Sequence, residues 1–450
     1  MSMPGPDFSP PGGATPPPPS VPAYPLPPPA VPRRDGPGRS LALVGLGILI
    51  GALVTAGIAW WLRPATTVTV PPPTQRTAAP PTSAPRTAVP GTAGPGGVWV
   101  WGDYAYTGRG PVNQLDPAPA ALPLDGVTQV APNMGGGLAL LKDGTVWAWG
   151  SNDHMQLGTE ARAEALYPQP VPGLPKDIVS IAAGYETCLA VDSSGHVWAW
   201  GANQNGRLGD GNAGGLTIDQ GRAVPAVVEG PADVVQVAVG YAGVFAVTKA
   251  GDVWAWGHVD STGLAGDGVL PPAPIPELRD VASLAAANGV AFAVTRDGSV
   301  YTWGTNGDSN CLAATPSGLG PGIPTPVPGP AVKQVAAGDG FTLLLGTDGT
   351  VRSCGDNQYG QLGDGTTTRS ATPVAVRDLA DVAGIAAGQI ASYAMTTSGE
   401  VYAWGGNTAF EVPGAPAADA HPAPVHVDGL RGLVAIAGGP SASAIYGVQG

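Results

Sequence analysis

Apolar and small residues return in one fixed order along most of this chain, and the order repeats. Its sharpest marker is a five-residue block in which large and small residues alternate. The block reads VWVWG at Val98–Gly102, then VWAWG at Val146–Gly150, Val197–Gly201 and Val253–Gly257. It continues as VYTWG at Val300–Gly304, VRSCG at Val351–Gly355 and VYAWG at Val401–Gly405. Alternation with a period of two predicts a β-strand. Successive blocks start 48, 51, 56, 47, 51 and 50 residues apart. A period of that length marks an array of supersecondary units. Ten of the twelve Trp fall in the blocks, and the others are Trp60 and Trp61. Trp is therefore a framework residue here.

Each block after the first follows a turn pair. The pair is Asp-Gly at Asp143, Asp297 and Asp348, and Ser194-Gly195, Ala250-Gly251 or Ser398-Gly399 elsewhere. Such pairs supply the positive φ of a tight hairpin. Ahead of the turn lies an apolar strand, as at Cys188–Asp192 and Phe245–Thr248. Ahead of that lies a small-residue run: Ile181–Gly184, Val237–Gly240, Val335–Gly338, Ile385–Gly388 and Ile436–Gly439, with Leu284–Ala287 and Val130–Asn133 as weaker copies. After the Trp-Gly comes a turn-rich segment, then a Pro-Val strand such as Pro373–Val376. Four strands per unit are expected, with the small-residue strand innermost. The body opens on a third-type strand, Val98–Trp101, and closes on first- and second-type strands, Val434–Gly438 and Ser441–Tyr446. The last unit is expected to be sewn from both ends of the body.

The pattern of small-residue strand, xDGxVYxWG, then NxxGQLGxG resembles the RCC1 (regulator of chromosome condensation) repeat family. Asn357–Gly365 (NQYGQLGDG) and Asn203–Gly211 (NQNGRLGDG) carry the second motif. The resemblance covers residues 98–450 and implies an all-β, seven-bladed RCC1-like β-propeller. There are departures. The family's His-Thr pair has Glu186-Thr187 as its nearest match, Asn133–Gly137 is degenerate, and His258–Gly266 and Asn306–Leu312 are loose versions of the Asn-Gly-Leu-Gly loop. The family's founder is a nucleotide-exchange factor for a small GTPase on chromatin. A related secreted propeller inhibits β-lactamase.

Composition separates an arm from this body. Of the 51 Pro, 24 lie in residues 1–97. Residues 1–40, with Pro16–Pro19 and Pro27–Pro29, read as a disordered cytoplasmic arm. Leu41–Leu62 is 22 residues without a charge. As a helix it reaches about 33 Å, enough to cross a hydrocarbon core of about 30 Å. Arg33, Arg34 and Arg39 precede it, Arg63 follows, and Trp60 and Trp61 mark the far interface. That asymmetry predicts a cytoplasmic N-terminus and an extracellular body. A cleaved signal peptide is the rival, but the apolar stretch is too long and the preceding region too large for one. Gly47 and Gly51 form a GxxxG suited to weak helix pairing. Residues 63–97 read as a Pro/Thr-rich stalk. Arg outnumbers Lys 16 to 4, as expected of a high-GC, actinomycete-like genome.

Charge narrows the partners. From residue 98 onward 14 basic residues face 31 acidic ones, a balance of −17. Such a body repels phosphate backbones, so nucleic acid is not an expected partner. Cys188, Cys311 and Cys354 are too few and scattered for a disulfide framework or zinc cluster, and are expected to be buried or inert. His154, His196, His258, His421 and His426 fall at unrelated repeat positions. Gly307–Asn310 resembles an esterase nucleophile block but sits where a repeat loop belongs. No catalytic, cofactor or metal residues are assigned.

What remains is a surface. In each unit the first-to-second and third-to-fourth loops share one face, and the Asp-Gly hairpins occupy the other. The first face carries Tyr185, Tyr241, Asp339, Phe341 and Tyr359. Aromatics among acids suit a protein or peptide partner with basic patches. The expected function is a membrane-anchored, extracytoplasmic binding module acting as scaffold, sensor or inhibitor. The alternatives are an extracellular cell-wall-directed hydrolase and, by family resemblance only, a guanine-nucleotide-exchange-type regulator.

Overall fold

The computed structural model describes residues 95–450 apart from 103–106, 111–117, 213–220, 265, 267, 305–322, 409, 416–418 and 443. The Pro-rich arm, the apolar span Leu41–Leu62 with its Gly47–Gly51 pair, and the stalk to residue 94 lie outside the described residues. Among the described residues no helix is long and apolar enough to cross a membrane.

The described chain forms 28 strands in seven antiparallel sheets of four. Blade one is Val127–Asn133, Gly136–Leu141, Val146–Gly150 and Ala165–Pro170. Blades two to six follow in sequence, opening at Ile178, Val234, Val281, Val332 and Val382. First strands of successive blades touch one another all the way round, and the last, Leu433–Ala437, touches the first, Val127–Asn133. The expected seven-bladed propeller is therefore present, with small-residue strands innermost.

Blade seven is sewn as expected. Val98–Gly102 pairs with Ala444–Gln449 on one side and with Ala120–Leu122 on the other, while Ala444–Gln449 pairs with Leu433–Ala437. One boundary differs from the sequence reading, which put the second strand at Ser441–Tyr446. Ile436 pairs with Gly447, eleven residues on, where Ile385 of blade six pairs with Ala394, nine on. Pro440 and Ser441 belong to this longer loop. Gln449 fastens the seam. Its backbone N–H donates to Gly97 at 2.9 Å, and its side-chain oxygen accepts from Trp99 Nε1 at 3.2 Å.

The core is a set of interfaces between blades. One cluster joins Leu189, Val191 and Val197 of blade two to Val237, Val244 and Trp256 of blade three, and the other blades repeat the scheme. The second large residue of the Trp block carries it. Trp101, Trp149, Trp200, Trp256, Trp303 and Trp404 are all at most 1% exposed. Their indoles explain the following loop motif. In NxxGQLGxG the Asn side chain accepts from the backbone of the apolar residue five positions on: Leu157, Leu208 and Leu362, at 2.8–2.9 Å. That carbonyl geometry presents the preceding residue's oxygen to the next blade. Gln156, Arg207 and Gln361 oxygens accept from Trp200, Trp256 and Trp404 Nε1 at 3.0, 2.9 and 3.0 Å. Trp101 and Trp303 Nε1 have no partner among the described residues, although the loop before Trp101 keeps the Asn tie, with Asn407 accepting from Val412 at 2.9 Å. In blade five Cys354 takes the Trp position, where it is buried and disulfide-bonded. Cys188 is buried, and burial pushes its thiol up to about 12.

A second tie was not anticipated. First strands of neighbouring blades splay and do not form a ladder. Gln129, Gln236 and Gln334 replace it with a side-chain amide, which mimics a peptide group. Each donates to and accepts from one backbone residue of the next blade: Ile181, Leu284 and Ile385 respectively, at 2.9–3.3 Å. The matching positions in the even blades are the small residues Ser180, Ser283 and Gly384.

Candidate binding site at the axial mouth

The hairpin face repeats one Asp turn at three of its hairpins. Asp143, Asp297 and Asp348 each accept from a Thr hydroxyl and from the backbone N–H two residues on, the latter at 3.0 Å. These bonds hold their carboxyls below the ordinary carboxylate range. The Asp side chains here are turn formers.

The opposite face is uneven. The first-to-second loops each present one residue at the same repeat position: Met134, Tyr185, Tyr241, Asn288, Asp339, Gln389 and, in the lengthened loop, Pro440. The framework repeats, yet the ring holds a thioether, two phenols, two carboxamides, a carboxylate and a proline. Met134, Tyr185, Asn288, Asp339, Gln389 and Pro440 line one cavity of about 360 Å³. They come from six different blades, so the cavity lies on the propeller axis. Backbone N–H groups tie its rim: Tyr185 N–H donates to Ser441 Oγ at 3.2 Å, and Asp339 N–H to the Gln389 carbonyl of the next blade at 3.1 Å.

Tyr185 and Tyr241 meet edge to face, 5.1 Å between ring centres. Tyr185 has a left-handed backbone, φ 54°. Its hydroxyl is buried without a hydrogen-bond partner among the described residues. Burial, then the Asp339 carboxylate, pushes that phenol well above its ordinary range. Tyr241 is 49% exposed and Met134 53% exposed. Beneath the pair sits Arg207, at 0% exposure. Its Nη1 donates to the Tyr241 carbonyl at 2.8 Å, its Cζ lies 5.5 Å from the Tyr185 ring centre, and its Nη2 is 3.9 Å from Glu186. Burial lowers its pKa, and Glu186 opposes that. Arg207 belongs to the third-to-fourth loop of blade two, so both loop classes do share this face.

The five residues singled out in the sequence divide. Tyr185 and Asp339 line the cavity, and Tyr241 stands beside it. Tyr359 lies on the third-to-fourth loop of blade five, half-buried and off the cavity. Phe341 corrects the expectation: it is 0% exposed and packs with Leu343, Leu362 and Trp404. It opens the second strand of its blade, and its side chain turns inward. Sequence reasoning missed Met134, Asn288, Gln389 and Arg207. Alignment of the repeats at the residue after each small-residue run finds the first three, and the Arg in NQNGRLGDG, against Gln in NQYGQLGDG, marks the fourth. Among the described residues no group of three or more His, Cys, Asp or Glu is placed to hold a metal ion.

The family signature of the RCC1-like domain matches residues 97–445. The chain belongs to the RCC1-like domain family. It is 30% identical over 344 residues to the mitochondrial RCC1 domain-containing protein RUG3 of Arabidopsis thaliana, covering 73% of this chain and 66% of RUG3. It is 29% identical over 317 residues to the ultraviolet-B receptor UVR8 of the same plant, covering 69% and 60%. The chain thus spans under two thirds of the length of these relatives. Among solved structures, Prp20p from Saccharomyces cerevisiae superposes with a TM-score of 0.67 at 23% identity, covering 80% of this chain and 92% of Prp20p. Human WBSCR16 gives 0.68 at 24% identity, covering 78% and 98%. These likenesses establish the fold. All four proteins are eukaryotic, and the bacterial, membrane-anchored type expected from the N-terminal segment is not shown by them.

Proposed function

We propose that this RCC1-like propeller is a membrane-anchored, extracytoplasmic module that binds a protein or peptide at its loop face. The observation that carries the reading is the ring at the axial mouth. A framework that repeats blade after blade presents unlike side chains at one equivalent position, and loops on a rigid scaffold are where binding residues concentrate. Among similar structures, Prp20p has binding properties toward Gsp1p and histones and forms a complex with Kap60. The acidic body favours a partner with basic patches. Anchoring rests on the uncharged Leu41–Leu62 and its three preceding Arg.

Alkaline phosphatase fused after Gly450 is expected to be active, and a cytoplasmic reporter at the same place silent. The reverse pattern sinks the topology. With the full chain as bait, Tyr241→Ala is expected to weaken capture of the partner about tenfold, as for an aromatic anchor. Charge reversal at Asp143 or Asp348, on the hairpin face, is expected to do little. Capture lost only in the hairpin-face variants would move the site to the other face.

A further inference from the structure

The binding-module reading leaves open what enters the axial cavity, and the chemistry of its wall is one-sided. Asp339 is its one carboxylate, and it is exposed. Asn288 donates a side-chain N–H to Asp339 Oδ1, which fixes the carboxylate. No Lys, Arg or His among the described residues pairs with it, although Arg207, Arg222, Arg279, Arg296 and Arg369 all have acidic neighbours. Tyr185 also lines this cavity, and its buried hydroxyl has no hydrogen-bond partner among the described residues. Asn288 and Gln389 add amide oxygens. The opposite arc, Met134, Tyr185 and Pro440, is apolar or aromatic. A volume of about 360 Å³ is at the small end of ligand pockets, which run about 300–1,000 Å³. It holds one long side chain and excludes a folded element.

We propose that the axial cavity receives a single arginine or lysine side chain of the partner, its cation against Asp339 and its apolar stem along Met134 and Tyr185. This rests on the binding-module reading and names what that module recognises. Aromatic rings beside a carboxylate take a cation on two counts, charge and quadrupole. Arginine gains further, since its fork of donors suits a carboxylate and a neighbouring amide oxygen together. The −17 body draws such a side chain toward the face before contact.

The probe is the blocked pentapeptide acetyl-Gly-Gly-Arg-Gly-Gly-amide, titrated into the full chain in detergent micelles and followed by ligand-observed NMR. Saturable binding is expected. It should weaken at least about tenfold in Asp339→Asn, and by as much when citrulline, neutral and of the same shape, replaces arginine. Asp143→Asn on the hairpin face should leave it unchanged. Equal binding of the citrulline peptide, indifference to Asp339→Asn, or no saturation by about 20 mM overturns the proposal. The two readings separate cleanly. Partner capture that falls in Tyr241→Ala but not in Asp339→Asn keeps the binding module and removes the axial cation site.

Discussion

A chain that begins at Asp103 should melt at least about 10 °C below one that begins at Pro95. The eight residues between them include the whole strand Val98–Gly102, the third of blade seven. Its loss removes two ladders at once, because the strand pairs with Ala444–Gln449 and with Ala120–Leu122. It also empties the interface with blade six. Trp101 is 1% exposed and meets Tyr393 edge to face at 6.1 Å, and Trp99 is 8% exposed. Truncating one buried Trp costs about 3–5 kcal/mol, and neither site can refill from solvent. The ring of first strands would stay closed only through Leu433–Ala437, whose own partner strand would then be an open edge. Differential scanning calorimetry of the two chains decides it. Melting points within a degree or two of each other would mean that blade seven does not close the propeller.

The repeat, the count of blades and the sewn closure were legible because each rests on a local signal that recurs. Asp-Gly turns, Val-Trp alternation and Ala-Gly runs set strands one by one, and seven copies average out the weak ones. The site was legible only in part. Phe341 follows Gly338-Asp339-Gly340, so it reads as a loop aromatic. Its strand register in fact points it inward, over Gly338, where an added Cβ would collide with the Phe341 ring. The Gln ties were missed for another reason. A Gln in the third position of a first strand looks like a solvated polar residue, and only the splay between neighbouring blades leaves backbone groups for it to pair with. The indole acceptors show the reverse case. The NxxGQLGxG motif was visible, but its purpose lies in the next blade's Trp, about 45 residues further on, as Trp200 is from Gln156. Chemistry that depends on a neighbour so distant in sequence has no local signature.

Glu186→Gln should destabilise the fold by about 3 kcal/mol, and adding Arg207→Gln should restore most of the loss. Arg207 is fully buried, and its Nε and Nη2 make no hydrogen bond among the described residues. Glu186, 3.9 Å away and itself 16% exposed, is its counter-charge among the described residues. Removing that carboxylate leaves a buried cation held by one carbonyl and the face of Tyr185. The cost stands at the lower end of the range for broken buried pairs, because the pair is long. Arg207→Gln alone should be neutral or slightly stabilising. Gln occupies the same loop position in blades one and five, where Gln156 and Gln361 accept from the backbone two residues earlier at 2.9 and 3.0 Å. Urea melts of the four proteins give the coupling energy, and a double variant no more stable than Glu186→Gln sinks the pairing. If framework favours Gln here, the Arg is kept for what it holds. It ties the Tyr241 carbonyl and backs the Tyr185 ring, so Arg207→Gln should leave the melting point alone and still weaken partner capture. Stability and binding then part at one residue, which is the behaviour of a group that positions the aromatic wall of the site.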